Sequence, residues 1–342
     1  MAHAKFFSIL VSVAVLAYGA IGFYFLPWAH FQGDLTRMAQ LPETLFGWRQ
    51  PQPSLAPELF QQASWQQADI LVIGDSFSAP RVWQSVLAQR GFKVRTELWG
   101  SVQGICEDFV PWLRKQGYAG KYVVFERVEH SLAGDIPKSL ACRHMLTHGS
   151  APDGPVAPPV ASFDPNEKNY TGRLSVGIRT WLNVLKYEHD FSDPALISWS
   201  LSNGVKMSRL EQGCSLFSHQ RCKDVPFLGE DRTDDLGDET LKGMAGLNAR
   251  LAGITPIWVI VPNKSTAYLY PEKHFWDKAE RQLGAPNILR EVRQAIVQKT
   301  MDLYPGNNTH FSTTGYLLLG NAVHRHLLAL ESQSSSSPPR SH

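Results

Sequence analysis

Short apolar runs alternate with amphipathic stretches through residues 66–130 of the chain. Ile70-Leu71-Val72-Ile73 is β-branched and too short for a helix, so it predicts a buried parallel strand. Pro80 to Gln89 predicts a helix with proline at a permitted opening position, ended by Gly91. Lys93 to Leu98 predicts a second strand, closed by Trp99 and Gly100. Ile105 to Gln116, with Gly117 at its end, predicts a second helix, and Tyr122 to Phe125 a third strand. This alternation is that of a doubly wound α/β fold. Sheet character returns at Ile257 to Val261, and helices are predicted at Pro286 to Met301 and Thr313 to Leu330. The last is apolar on most faces, has Gly315 near its start, and reads as packed against the sheet.

Between these blocks the pattern breaks. Residues 146–168 are proline-rich with little periodicity and predict a loop or linker. Residues 170–250 hold a candidate helix near Ile178 to Tyr187, two cysteines and an acidic stretch from Asp231 to Glu239. Residues 146–250 therefore read as an insertion or lid. The Ser- and Pro-rich stretch 332–342 predicts disorder, and no internal repeat is visible.

The amino-terminal end differs in kind. No charged residue occurs from Phe6 to Leu26, which is long enough to cross a hydrocarbon core of ~30 Å. Lys5 precedes the run and Trp28 follows at the expected interface, favouring an inside amino terminus and a body across the membrane. The rival is a cleaved signal peptide processed near Ala17 and Gly19. The apolar run continues past that point, which favours an anchor, and either reading exports the body. The domains expected are an anchor (1–28), a Pro- and Gln-containing stalk (29–65), an α/β domain (66–331) carrying the insertion, and the tail.

Composition narrows the classes. The 342 residues allow a single large α/β domain with an insertion, and a net charge of +2 with mixed signs gives no basis for nucleic-acid binding. Of the four cysteines, Cys214 and Cys222 close a short polar loop, leaving Cys106 and Cys142 as a second candidate pair. Spacing alone leaves the connectivity open, and reduced buried thiols are the alternative. An even count in an exported chain favours disulfides, and no metal-ligand spacing occurs. No cofactor is expected.

Candidate chemistry begins at Gly74-Asp75-Ser76-Phe77, directly after the first strand. Gly74 can take a tight turn, leaving Ser76 at the strand's carboxyl end, where open α/β sheets bind ligands. A serine hydroxyl needs a base. Of the twelve histidines, His310 is the best placed, in Asn308-Thr309-His310-Phe311-Ser312 just before a helical pattern. A third group usually orients such an imidazole. Asn308 can do so through its carbonyl; alternatively an acid such as Asp302 takes the role, or the site is not catalytic. The backbone N–H of Ser76 and that of Gly100 are candidate oxyanion donors. Phe125-Glu126-Arg127-Val128-Glu129-His130 ends the third strand with charged groups that ring the site mouth or form a solvated loop. Asn263-Lys264, with Tyr268 and Tyr270 close behind, suits carbohydrate rings or is an ordinary polar loop. Asp75, Arg127, His130, Lys264 and Tyr268 are thus candidate oxyanion or substrate contacts.

These pieces together resemble the SGNH-hydrolase-like superfamily, and within it the AlgX/AlgJ branch of polysaccharide O-acetyltransferases. The resemblance rests on Gly74-Asp75-Ser76-Phe77-Ser78 with Trp83, and on the strand ending Glu126-Arg127-Val128-Glu129-His130. It rests further on Val261-Pro262-Asn263-Lys264-Ser265-Thr266-Ala267-Tyr268, and on Asn308-Thr309-His310-Phe311-Ser312 with Gly315-Tyr316. It covers roughly residues 68–130 and 255–325. It implies a three-layer α/β/α, flavodoxin-like parallel sheet, with Ser76 carrying the acetyl group and His310 as its base. It implies a periplasmic body on an inner-membrane helix, a polysaccharide substrate, and a membrane-bound acyltransferase partner supplying acetyl. Asn308 stands where the family usually has aspartate, Phe311 where tryptophan is common, and His130 where arginine is frequent. Serine before histidine is the order of ordinary SGNH enzymes and is rearranged relative to AlgX. The expected function is O-acetylation of a cell-surface polysaccharide or exopolysaccharide through acyl-Ser76. The alternatives are a carbohydrate acetyl esterase and a non-catalytic binding or assembly subunit.

Overall fold

A computed structural model describes residues 2–102, 104–145, 162–164, 169–193, 195–200, 204–229, 231 and 236–336. Most of the loop expected at 146–168, part of the acidic stretch after Asp231, and the tail from 337 on lie outside these residues. The described strands are β1 (Ile70–Gly74), β2 (Val94–Leu98), β3 (Tyr122–Val128), β4 (Ser198–Ser200), β5 (Val205–Arg209), β6 (Asp224–Leu228) and β7 (Thr255–Val261). The chain divides into two compact units: residues 52–161, 231–304 and 310–342 form the larger, and 1–51, 162–230 and 305–309 the smaller.

The larger unit is mixed α/β around a four-stranded sheet in the order β2-β1-β3-β7. All three pairings are parallel, with Ile73 opposite both Glu97 and Phe125, and Val128 opposite Val261. Every residue of β1 is buried, as expected of a strand covered on both faces. Its alternate residues feed different cores. Leu71 and Ile73 join Phe109, Leu132, Met244 and Trp276 in one, while Ile70 and Val72 join Trp83, Val292, Leu319 and Val323 in the other. Period-two alternation along a pleated strand produces this division, and each such aliphatic side chain contributes ~1.5–3 kcal/mol on burial.

Several boundaries move for identifiable reasons. The first helix runs Val82–Gln89 rather than from Pro80, because Arg81 ahead of it is left-handed at φ 54°. Trp99 and Gly100 open a short helical turn, Trp99–Val102, instead of ending the strand in coil. The helix expected at 105–116 is confined to Phe109–Lys115. β3 continues three residues past Phe125, since Glu126 and Arg127 keep pairing with Val259 and Ile260 of β7. A helix, Glu129–Ala141, then begins directly and holds Pro137 internally. Helices Asp238–Asn248 and Phe275–Leu283 add to those read from the pattern, and the last helix extends over Thr313–Ser336. Cys106 is bonded to Cys142 in this unit.

The smaller unit carries an antiparallel sheet, β4-β5-β6, and the helix Leu174–Asp190. Residues 29–51, expected as a stalk, are folded. Turns Asp34–Ala39 and Glu43–Phe46 place Leu35, Leu41 and Phe46 in a core with Tyr187, Phe191, Val205 and Met207. The expected insertion is therefore split, with 162–230 in this unit and 231–250 in the larger one. Cys214 is bonded to Cys222. The helix Ala2–Phe25 has 24 residues, about 36 Å at 1.5 Å per residue. Within His3–Ala29 an 18-residue window has a mean hydropathy of 2.2, with Phe6, Leu16 and Phe23 exposed. That helix and the two disulfides are those of a membrane-anchored, extracytoplasmic protein.

The loop 305–309 also lies in the smaller unit and is densely bonded there. Buried Glu43 accepts hydrogen bonds from the backbone N–H groups of Gln32 and Gly33, from Thr36 Oγ1, and from Asn307 Nδ2 at 2.7 Å. Asp34 accepts from the Thr309 N–H at 2.9 Å and from the Thr309 hydroxyl.

Candidate active site

All four strands of the parallel sheet end at one edge, and the chemistry gathers there. β1 delivers its chain to Gly74, and the turn that follows sits almost on top of the strand. A Cβ on Gly74 would lie 2.2 Å from Ser78 Oγ and 2.9 Å from Glu126 Oε2, so glycine is needed for space rather than for an unusual φ. Asp75 is the brace of the turn. Its Oδ1 accepts the Phe77 N–H at 2.8 Å, and its Oδ2 accepts the Val128 N–H from the end of β3 at 2.8 Å. These bonds bracket Ser76 and leave it exposed, with its own N–H unpartnered among the described residues.

His310 Nε2 lies 2.8 Å from Ser76 Oγ. With Nε2 accepting from the hydroxyl, a neutral ring carries its proton on Nδ1. The imidazole packs against the Phe77 ring, centroids 4.7 Å apart, and Phe77 in turn meets Phe311 and Tyr316. Ser76 and His310 are therefore within hydrogen-bond reach, and an aromatic cluster packs against one face of the imidazole.

The other predicted residues differ in their surroundings. Gly100 is exposed in the first turn of its short helix, where an N–H has no intrahelical acceptor, and no atom lies within 4 Å of where a Cβ would stand. Arg127 reaches Asp75 Oδ2 at 3.6 Å, pairs with Asp135, and lies over the Trp99 ring. It is a brace of the serine turn more than a free cation. Asn308 belongs to the smaller unit, where its N–H donates to the Pro305 carbonyl at 3.1 Å. Asp302, the alternative acid, is buried, with a left-handed φ of 50°.

His130, Lys264 and Tyr268 lie at the ends of β3 and β7. His130 Nδ1 is 2.7 Å from Asn263 Oδ1, so the ring donates there, and Asp231 Oδ1 stands 3.9 Å away. Asp231 also accepts from the Ser265 hydroxyl at 2.6 Å, and Glu129 Oε2 accepts the Asn263 N–H at 2.9 Å. Burial pushes the Glu129 carboxyl up to about 7, against the lowering effect of Thr266 and Asn263. Burial likewise raises Asp231, opposed by Ser265, His130 and Lys264. Lys264 is buried, and burial pushes the Tyr268 phenol up. Lys264 is thus closed off from the surface, whereas Tyr268 is half-buried. Among the described residues no cluster of His, Cys, Asp or Glu is arranged to hold a metal ion.

The pattern did not point to Glu126 as a site residue. It is fully buried, and its Oε2 accepts the Asp75 N–H at 3.0 Å and the Ser78 hydroxyl at 2.6 Å. Trp83 Nε1 donates to the same Ser78 oxygen at 3.1 Å. Burial first, and the Asp75 charge second, hold the Glu126 carboxyl well above the ordinary carboxylate range. The available signal was a lone acid, next to Arg127, after the apolar run of that strand. Comparison with family models, curated proteins and solved structures returns no match.

Proposed function

We propose that this protein is a membrane-anchored, SGNH-like acyltransferase that O-acetylates a polysaccharide outside the cytoplasm, by way of an acyl-Ser76 intermediate. The observation that carries the reading is the 2.8 Å contact between Ser76 Oγ and His310 Nε2 at the carboxyl edge of a parallel sheet. Ser76 Oγ attacks the donor's carbonyl carbon while its proton passes to His310 Nε2. The tetrahedral intermediate collapses, the bond to the donor's leaving group breaks, and that group takes the proton from His310. A sugar hydroxyl then attacks the acyl carbon and gives its proton to His310. Collapse of this second intermediate returns Ser76 Oγ as an alkoxide, which recovers the proton from His310. Developing negative charge on the carbonyl oxygen is met by the Ser76 N–H and by the N–H of Gly100. A membrane-bound partner supplies the acyl group from the other side of the bilayer, which suits the amino-terminal apolar helix.

The exposure of Ser76 favours a second reading, a carbohydrate acetyl esterase, in which water takes the place of the sugar hydroxyl. One experiment separates the readings. Full-length protein in detergent micelles is incubated with 4-nitrophenyl acetate, with and without an oligosaccharide acceptor, and both Ser76 and the acceptor are examined by mass spectrometry. Acetyl on Ser76 and on the acceptor, both lost in Ser76→Ala, is the expected result. Ester turnover with no acetylated acceptor selects the esterase. An unmodified Ser76 and no turnover would leave only a non-catalytic polysaccharide-binding role.

A further inference from the structure

Two carboxyl groups meet beneath the candidate nucleophile, and their surroundings differ. Asp75 has a donor on each oxygen, the Phe77 and Val128 N–H groups, and the Arg127 guanidinium nearby. Those are the surroundings of an anion. Glu126 is fully buried, uses only Oε2, and leaves Oε1 without a hydrogen-bond partner. A buried anion with an unsatisfied oxygen beside a second anion is strongly disfavoured. Environments that differ in this way drive one carboxyl to ionise and the other to stay neutral.

We propose that Glu126 is a positioning residue that keeps its proton, and that the neutral acid and the Asp75 carboxylate act together as a clamp setting the geometry of the Ser76 turn. Glu126 holds residues 75 and 78, Asp75 holds residue 77 and ties the turn to β3, and Ser76 is what the four bonds enclose. A proton on Glu126 removes the second negative charge from the buried pair. The charged and titratable groups around the pair are Asp75 on the turn, Arg127 on β3 and Asp135 on the following helix. When rising pH removes the Glu126 proton, two anions share one dry site and the turn loosens. This inference rests on Ser76 being the nucleophile for its consequence, but not for the clamp itself.

The test therefore has one arm that needs no catalysis. Hydrogen exchange of the segment 74–79 is followed in the full chain, beside the rate of Ser76 labelling by a fluorophosphonate. Glu126→Gln keeps a neutral group of the same shape and should leave both readouts near wild type. Wild-type labelling should decline reversibly as rising pH removes the Glu126 proton, and Glu126→Gln should remove that decline. Glu126→Ala, or Ser78→Ala if the former does not fold, should raise exchange in the segment and slow labelling by about a hundredfold. Equal damage from Glu126→Gln and Glu126→Ala would mean that an anion is required, and would overturn the proposal. So would wild-type exchange in both Glu126→Ala and Ser78→Ala. A wild-type chain that never labels would sink the nucleophile reading, while the exchange arm still decides the clamp.

Discussion

Phe77 lies face to face at a tilt with His310, ring centroids 4.7 Å apart and planes 34° from parallel. The residue next to the candidate nucleophile thus supports the candidate base. Phe77 is 3% exposed and also touches Phe311 and Tyr316, so its ring cannot turn away without unpacking that cluster. Replacing Phe77 by leucine keeps an apolar side chain but removes the flat surface against the imidazole. The expected outcome is a loss of about 1–2 kcal/mol in stability and a larger relative loss in Ser76 labelling. Thermal unfolding and labelling rate measured on one sample check this. A variant that is destabilised but labels at the wild-type rate would show that the aromatic contact serves packing alone.

Gly74 makes a different demand. Its missing side chain leaves room for Ser78, whose Cβ would be 2.3 Å from a Cβ at position 74. Gly74→Ala should cost about 1–3 kcal/mol by overpacking and should displace the turn that holds Ser76. Adding Ser78→Gly removes the two nearest obstructing atoms, so the double variant should be less damaged than the sum of the two single changes. Strict additivity in urea denaturation would mean that the two positions do not compete for the same space.

What was legible in the chain follows from how local each signal is. Ile70 to Ile73, Ser76 and His310 could be read because a short β-branched run and two turn sequences carry their meaning within a few residues. The need for Gly74 was legible but its reason was not. The obstacles are Ser78 and Glu126, and the second comes from another strand. The local pattern ends β3 at Phe125 because Glu126 and Arg127 look like a loop, whereas pairing to β7 keeps them in the sheet. The antiparallel sheet of the smaller unit carries no local signal for a similar reason. β5 is Val205-Lys206-Met207-Ser208-Arg209, five residues whose strand state depends on partners at 198–200 and 224–228. Residues 29–51 looked like a stalk because proline and glutamine mask the spacing of Leu35, Leu41 and Phe46.

Glu129 offers a pH-dependent prediction away from the serine. It is 1% exposed, and burial pushes its carboxyl from 4.5 up to about 7, with Asp231 adding to the rise and Lys273 opposing it. An acid whose folded value is raised binds more protons folded than unfolded between those two values, so stability falls as pH rises across that window. The contribution is fully present below about 4.5 and gone once pH passes about 7. A shift of this size corresponds to about 3 kcal/mol at most. Asp231 is raised as well and contributes a slope of the same sign, so the comparison must be with Glu129→Gln rather than with a flat line. Urea unfolding between about pH 5 and about pH 8 should show wild type losing about 2–3 kcal/mol more than the glutamine variant. Parallel pH dependence in the two proteins would mean that Glu129 stays ionised in the folded chain, held by Thr266 and the Asn263 N–H against its burial.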